Sequence, residues 1–234
     1  MKASDIRIEI NKDATRVTYR VDKVLCKSRF DNTNVVWGEL IGNCIFSFLP
    51  ATVGNQSSGE YNKLDTVDAT FTAAGKRWRA GLFPADAGPV ISIRELGKST
   101  DSVASLEILG FEPEQALVIR DCVSRGQGLF LVTGPTSSGK STSQSSLVCE
   151  MNDGSRAIYA LEDPVERLIP GIYQATVDND NKSRTFKVLG RQLLRQNPDV
   201  IVYGEIRSQE TAEAAIRMGT TGHMVMGTLH TASA

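Results

Sequence analysis

The residues that could do chemistry cluster in four short segments, and the first is Gly134-Pro135-Thr136-Ser137-Ser138-Gly139-Lys140-Ser141-Thr142. It reads GxxxxGK[ST] and follows the apolar run Leu129-Phe130-Leu131-Val132. A loop that wraps a phosphate must turn its backbone N–H groups inward, and Gly134 and Gly139 permit the dihedrals this needs. Lys140 can place a positive charge on β- and γ-phosphates, and the Ser141 hydroxyl can join a Mg²⁺ shell. The helix that follows points the positive end of its dipole at the same anion. The segment is read as a nucleotide-binding loop. Its plain alternative is a Ser/Gly-rich turn that matches by chance.

Turnover of a bound nucleotide needs carboxylates to hold Mg²⁺ or orient water, and positive groups to stabilise charge in the transition state. The run Ala157–Leu161 ends in Glu162-Asp163-Pro164-Val165-Glu166, three acids that must face solvent or a cation. A solvated turn would read the same way. The run Val200–Tyr203 ends in Gly204-Glu205-Ile206-Arg207, an apolar strand closing in an acid. Asp199 precedes that strand and is assigned to the Asn197-Pro198-Asp199 turn. The chain has two histidines, His223 and His230, and they flank the run Met224–Thr228. Either could sense a γ-phosphate or hydrogen-bond to the acids, and each could equally be a structural histidine. No Cys or third His stands near them, so a metal site there is not expected.

The elements that must carry these groups alternate between short apolar runs and helical patterns. Strands are expected at 129–132, 157–161, 200–203 and 224–226, with helices over 140–151, 185–196 and 209–218 between them. That alternation predicts a largely parallel sheet covered by helices, with ligand groups beyond the carboxyl ends of the strands. The first half reads differently. Ile6, Ile8 and Ile10 alternate with polar residues, as do Val17, Tyr19 and Val21, which is the period of half-buried strands. A helix is expected over 38–48, a loop over 51–62, and strands near 66–72, 77–83 and 90–94. The polar stretch 97–102 is taken as the link between domains 1–98 and 99–234.

Composition excludes several classes. The 234 residues are 41% hydrophobic and carry 26 Lys plus Arg against 27 Asp plus Glu, a net charge of -1. Near-neutrality gives no signal for coating nucleic acid or an anionic membrane. No apolar run approaches the roughly 18–20 residues of a transmembrane helix, and the first residues lack a signal-peptide pattern. The four cysteines form no CxxC pair and are read as small buried apolar residues.

GPTSSGKST, LEDPVE, RQNPDVIVYGEIR and TGHMVMGTLHT stand in the order Walker A, Asp box, Walker B and His box. In that order they resemble the secretion ATPase superfamily of type II secretion, type IV pilus and type IV secretion ATPases. The resemblance covers 129–234 and extends upstream through ASDI and RVTYRVD. The ending MGTLHTASA looks nearest the pilus retraction (PilT-like) branch.

The resemblance implies a PAS-like N-terminal domain and a RecA-like α/β ATPase domain, with ATP and Mg²⁺ between them. It implies a homo-hexameric motor in the bacterial cytoplasm, peripheral to the inner membrane. The motor would work on the platform protein of a pilus or secretion machine.

Carried over residue by residue, Lys140 and Ser141 would hold phosphate and Mg²⁺, and Glu205 would act near Mg²⁺. Glu162 and Glu166 are unranked candidates to polarise water. His223 and His230 would couple the site to domain movement. Arg79 and Arg94 would neutralise phosphate charge when the domains close.

Ser137 stands where the loop usually has glycine, Arg7 where His is frequent, and Asn197 and Ser208 where acids are usual. The chain stops just after the His box, so a fragment of a longer protein is expected. The alternatives are a nucleotide-binding ring subunit with little hydrolysis, a conjugation or type IV secretion ATPase, and a P-loop kinase.

Overall fold

In the computed structural model, residues 5–21, 24–28, 38, 40–44, 67–97, 103–178 and 181–231 are described. The chain divides into two compact units, 1–98 and 99–234.

The first unit is built on the alternation of Ile6, Ile8 and Ile10. It makes β1 (Asp5–Ile10), which pairs antiparallel with β2 (Thr15–Val21) and β6 (Gly88–Glu95). With β3 (Val24–Lys27), β4 (Val67–Ala73) and β5 (Lys76–Ala85) these form a six-stranded sheet in the order β3-β2-β1-β6-β5-β4. Ile8 lies opposite both Val17 and Ile91, so one face collects Ile8, Ile10, Ala80, Leu82 and Ile91 into a core. Burying each large side chain there contributes roughly 1.5–3 kcal/mol. Residues 38 and 40–44 are helical, and Ile41 packs on this core. Gly38 is required at that contact, because a Cβ would fall on the fully buried side chain of Thr15. The end of the expected 38–48 helix and the expected 51–62 loop lie outside the described residues. So do residues 98–102, most of the expected link. The expected PAS-like character rests on the resemblance alone; what the coordinates give is a six-stranded antiparallel sheet with a helical segment on it.

The second unit begins with α1 (Pro113–Ser124), followed by β7 (Gly128–Gly134), α2 (Lys140–Met151), β8 (Ile158–Glu162) and β9 (Tyr173–Thr176). Then come α3 (Phe186–Leu194), β10 (Val200–Tyr203), α4 (Gln209–Thr220) and β11 (Met224–His230). All strand pairs are parallel, in the order β7-β11-β10-β8-β9. This is the expected α/β arrangement, and period two divides its core. Ile158, Ala160, Val200, Val202, Met224 and Met226 face one way, against Ala116 and Val123 of α1 and Leu147, Val148 and Met151 of α2. Leu161, Ile201, Tyr203 and Val225 face the other way, against Leu193 of α3 and Ala215 and Met218 of α4. Strands covered on both faces read as continuous apolar runs, which explains why no alternation marks them.

The helix ends are set by local chemistry. Thr185 caps α3 by accepting from the Val188 amide, and Ser208 caps α4 by accepting from the Thr211 amide. Three elements were not expected from the sequence: α1, β9 and β3. The expected helices and strands otherwise fall within a few residues of the observed ones.

Candidate nucleotide site

Because the sheet is parallel, β7, β11, β10 and β8 all end on one edge. Register decides what meets there. His230 is the partner of Gly134 across β11 and β7, and Tyr203 is the partner of both Gly227 and Leu161. The loop 135–139, the Gly204–Arg207 turn, the 162–166 segment and His230 therefore emerge side by side.

Residues 135–139 are exposed, and Ser141 and Thr142 are exposed in the first turn of α2. Gly134 has φ 147° and Gly139 has φ 95°, dihedrals that favour glycine. Ser137 adopts φ 62°, so the position that usually carries glycine keeps a left-handed backbone without one. That conformation costs a non-glycine residue on the order of 1 kcal/mol.

Lys140 is buried at 7% exposure. Its ammonium donates to the carbonyls of Gly134 at 2.9 Å and Pro135 at 2.8 Å, and it lies 3.3 Å from His230 Nδ1. An ammonium has no lone pair, so Nδ1 is the acceptor and the imidazole proton sits on Nε2. Nε2 in turn lies 3.2 Å from Glu205 Oε1. Thr136 Oγ1 also approaches His230 Nδ1, at 3.4 Å.

Glu205 is mostly buried. Its second oxygen, Oε2, is 2.7 Å from Arg207 Nη2. Burial pushes the Glu205 carboxyl up. The Arg207 hydrogen bond and the positive charges of Arg207 and Lys140 outweigh this and hold it below the ordinary carboxylate value. Arg207 Nη1 donates to Asp163 Oδ2 at 3.3 Å, linking the β10 turn to the segment after β8.

Glu162 Oε1 accepts from Gln174 Nε2 at 2.8 Å, and Gln174 also donates to the Arg167 carbonyl at 2.7 Å. Glu162 packs so closely on Gly204 that a Cβ there would meet its Cγ, Cα and Cβ at 3.1–3.3 Å. Glu166 is exposed farther along the same segment.

The other sequence-predicted residues lie elsewhere. His223 precedes β11, at the opposite edge of the sheet, where its Nδ1 is 3.2 Å from the Met218 carbonyl. At about 3.3 Å per residue, the intervening strand separates it from His230 by roughly 20 Å. Asp199 is at that far edge too, and its carboxylate accepts from the Ala157 amide at 2.7 Å, as its assignment to a turn requires.

Arg79 and Arg94 belong to the first unit. They are direct partners across β5 and β6, and Arg94 is in turn the partner of Asp5, itself the partner of Arg20. Arg94 Nε donates to Asp5 Oδ1 at 2.6 Å. One transverse row thus holds three arginines and one acid.

Sequence reasoning gave no role to Arg207, Asp163, Gln174 or Thr228. A signal existed for Arg207. It stands two residues after Glu205, a basic side chain within pairing reach of the acid. Gln174 lies on β9, which the sequence did not reveal.

No ready-made cage of three or more His, Cys, Asp or Glu side chains occurs among the described residues. A Mg²⁺ ion here would need oxygens from a nucleotide. The residues fit that group: an exposed Ser141 hydroxyl, Glu205 at the end of β10, and a buried Lys140 whose ammonium meets two carbonyls and an imidazole nitrogen.

The family described as type II/IV secretion system protein matches residues 1–234. The chain is 34% identical to the type IV pilus assembly ATPase PilB of Acinetobacter baylyi, covering all of this chain and 39% of that protein. It is 40% identical over 156 residues to type II secretion system protein E of Pectobacterium carotovorum, covering 67% of this chain and 31% of that one. The crystal structure of the pilus retraction motor PilT with bound ADP superposes with a TM-score of 0.77 at 32% identity, covering 98% of this chain and 63% of that one. The chain spans less than half the length of these two curated relatives. With the whole chain matched, it belongs to the type II/IV secretion ATPase family.

Proposed function

We propose that this chain is the nucleotide-hydrolysing part of a motor subunit that turns over Mg·ATP to drive pilus assembly, pilus retraction or protein secretion. The observation that carries this reading is the contact chain Lys140–His230–Glu205, which joins three adjacent strand ends into one site. In it Lys140 and the loop amides of 136–140 bind phosphates, while Ser141 and Glu205 hold Mg²⁺. Glu162, fixed by Gln174, orients the attacking water, and exposed Glu166 is the alternative for that role. The bound Mg·ATP supplies the electrophilic phosphorus, and the residues of this chain bind, orient and neutralise charge.

A second contribution is carried over from the resemblance alone: Arg79 and Arg94 would neutralise phosphate charge. The working form is a homo-hexamer at the cytoplasmic face of an inner membrane, paired with a membrane platform protein. The RecA-like character of the second unit and the PAS-like character of the first belong to the same proposal. Among the described residues no helix is long and apolar enough to cross a membrane. The role of His223 in coupling to domain movement would operate from the far sheet edge, at a distance from the phosphates.

The test is a calorimetric titration with Mg²⁺ and a non-hydrolysable ATP analogue, paired with a phosphate-release assay, on the wild type and Lys140→Ala. Binding and turnover in the wild type, both lost in the variant, are expected. Turnover retained by Lys140→Ala defeats the assignment. Binding without turnover by the assembled wild type replaces it with a nucleotide-binding ring subunit.

A further inference from the structure

We infer that Arg207 is a positioning residue for the proposed ATP hydrolysis: its guanidinium fixes the Glu205 carboxylate against the phosphate loop and ties the β10 turn to the segment after β8. The inference rests on the proposed function and adds to it a residue that touches neither phosphate nor water. Both oxygens of Glu205 are engaged, Oε2 by Arg207 Nη2 at 2.7 Å and Oε1 by His230 Nε2 at 3.2 Å. A carboxylate held at both oxygens cannot rotate about its terminal bond. With Arg207 on one oxygen, the other is directed at His230, and through it at Lys140.

The same guanidinium reaches Asp163 with its other terminal nitrogen at 3.3 Å. Glu205 follows β10 and Asp163 follows β8, strands that are hydrogen-bonded neighbours. A planar fork with fixed spacing can span two carboxylates; an ammonium, as a point charge, cannot do so with the same geometry.

Exposure separates positioning from stability. The Arg207 side chain is 59% exposed, while Glu205 is 19% exposed. An exposed arginine in such pairs contributes little to folding. Its removal should leave the unfolding midpoint nearly unchanged and allow the Glu205 carboxylate to turn.

The experiment compares wild type, Arg207→Gln, Arg207→Lys and Asp163→Asn. It reads kcat and KM for ATP, the midpoint of thermal unfolding, and the position of Glu205 in crystal structures of the wild type and Arg207→Gln. Arg207→Gln is expected to lower kcat about tenfold or more, with KM and analogue affinity within about twofold and the unfolding midpoint within about 2 °C. Arg207→Lys should recover part of kcat by restoring one charged hydrogen bond to Glu205. Asp163→Asn should cost less than Arg207→Gln, because Glu205 stays held. The Glu205 carboxylate should be displaced in the Arg207→Gln structure.

Wild-type kcat in Arg207→Gln, or an undisplaced Glu205, overturns the inference while the ATPase reading stands. No turnover by the wild type, with Glu205 displaced in the variant, overturns the ATPase reading and leaves the positioning in place. An equal loss of kcat in Arg207→Lys and Arg207→Gln, together with a fall of many degrees in the unfolding midpoint, makes the role structural and also overturns the inference.

Discussion

Thr228→Val probes how the sheet holds the acidic turn. Thr228 is 2% exposed on β11, and its hydroxyl donates to the Gly204 carbonyl at 2.6 Å. Its own carbonyl accepts from the Ile206 amide at 2.9 Å. The two bonds grip the backbone on either side of Glu205. Valine keeps the shape and the backbone bond but removes the hydroxyl. Depriving a part-buried carbonyl of this donor costs up to about 1–3 kcal/mol, and the added methyl returns roughly 0.8 kcal/mol. The net loss is about 0.2–2 kcal/mol, which in a chain of this size lowers the thermal midpoint by about 0.5–8 °C. Thr228→Ser is the control, because it keeps the donor and loses one methyl at a cost of about 0.5–1.5 kcal/mol. The assay is thermal unfolding followed by circular dichroism, with steady-state ATP turnover measured on the same preparations. Turnover should fall in Thr228→Val and hold in Thr228→Ser, since only the valine variant releases the Gly204 carbonyl. A Thr228→Val protein with the wild-type midpoint and wild-type turnover would refute the idea that this hydroxyl holds the turn.

Two further outcomes concern the same unit. Arg120 forks between Glu107, at 2.7 and 3.0 Å, and Glu150, at 2.7 and 3.0 Å, and its hydrogen bond is the largest cause holding the Glu107 carboxyl at about 2 against an ordinary 4.5. A carboxyl depressed on folding adds stability above its ordinary pKa, and that stability is lost as pH falls from about 4.5 through about 2. Arg120→Met should therefore lower the urea midpoint most near pH 7, with the gap to wild type closing below pH 4.5; a gap independent of pH would count against this origin. Gly204→Ala would press a Cβ against Glu162 at 3.1–3.3 Å and shift that side chain by a few tenths of an ångström. Turnover should fall on the order of tenfold if Glu162 orients the water, and unchanged turnover would move that role to Glu166.

Much of this was legible in the sequence because the site is written at strand ends. The runs 129–132 and 200–203 located both the glycine-bearing loop 134–139 and Glu205. Lys140, His230 and Glu205 could be named from type and order, but only the strand order β7-β11-β10-β8 brings them together. His223 and His230 look equivalent in sequence, since both flank one strand. A strand has two ends, and only one of them faces the loop.

Helix α1 escaped notice because its buried positions, Ala116 and Val123, are sparse, while Leu117 and Val118 are exposed at 68% and 63%. That mixture blurs the helical period. The Arg79–Arg94 pairing was in principle readable, because the hairpin turns at residues 86 and 87 and counting outward from it makes them partners. Gln174 was not readable, because its contact with Glu162 depends on a four-residue edge strand.

The precision of the site derives from the core beneath it. Gly134 and His230 are register partners, as are Tyr203 and Gly227, so the spacing of Lys140, His230 and Glu205 is a property of the sheet. A one-residue slip of β11 would turn His230 to the other face and carry Val225 and Met226, both fully buried, out of their layers. Repacking both layers around misplaced side chains costs on the order of 1–3 kcal/mol each. Register is thus enforced by apolar residues that never meet a nucleotide. Lys140 adds the one adjustable part. Its three hydrogen-bonding directions are taken by two carbonyls and His230 Nδ1, all neutral acceptors. An anionic phosphate oxygen is a stronger acceptor than any of them. Drawing Lys140 toward a phosphate would take the donor away from His230, whose other nitrogen is on Glu205. The loop and the acid two strands away are therefore joined through a single imidazole, over a frame too costly to shift.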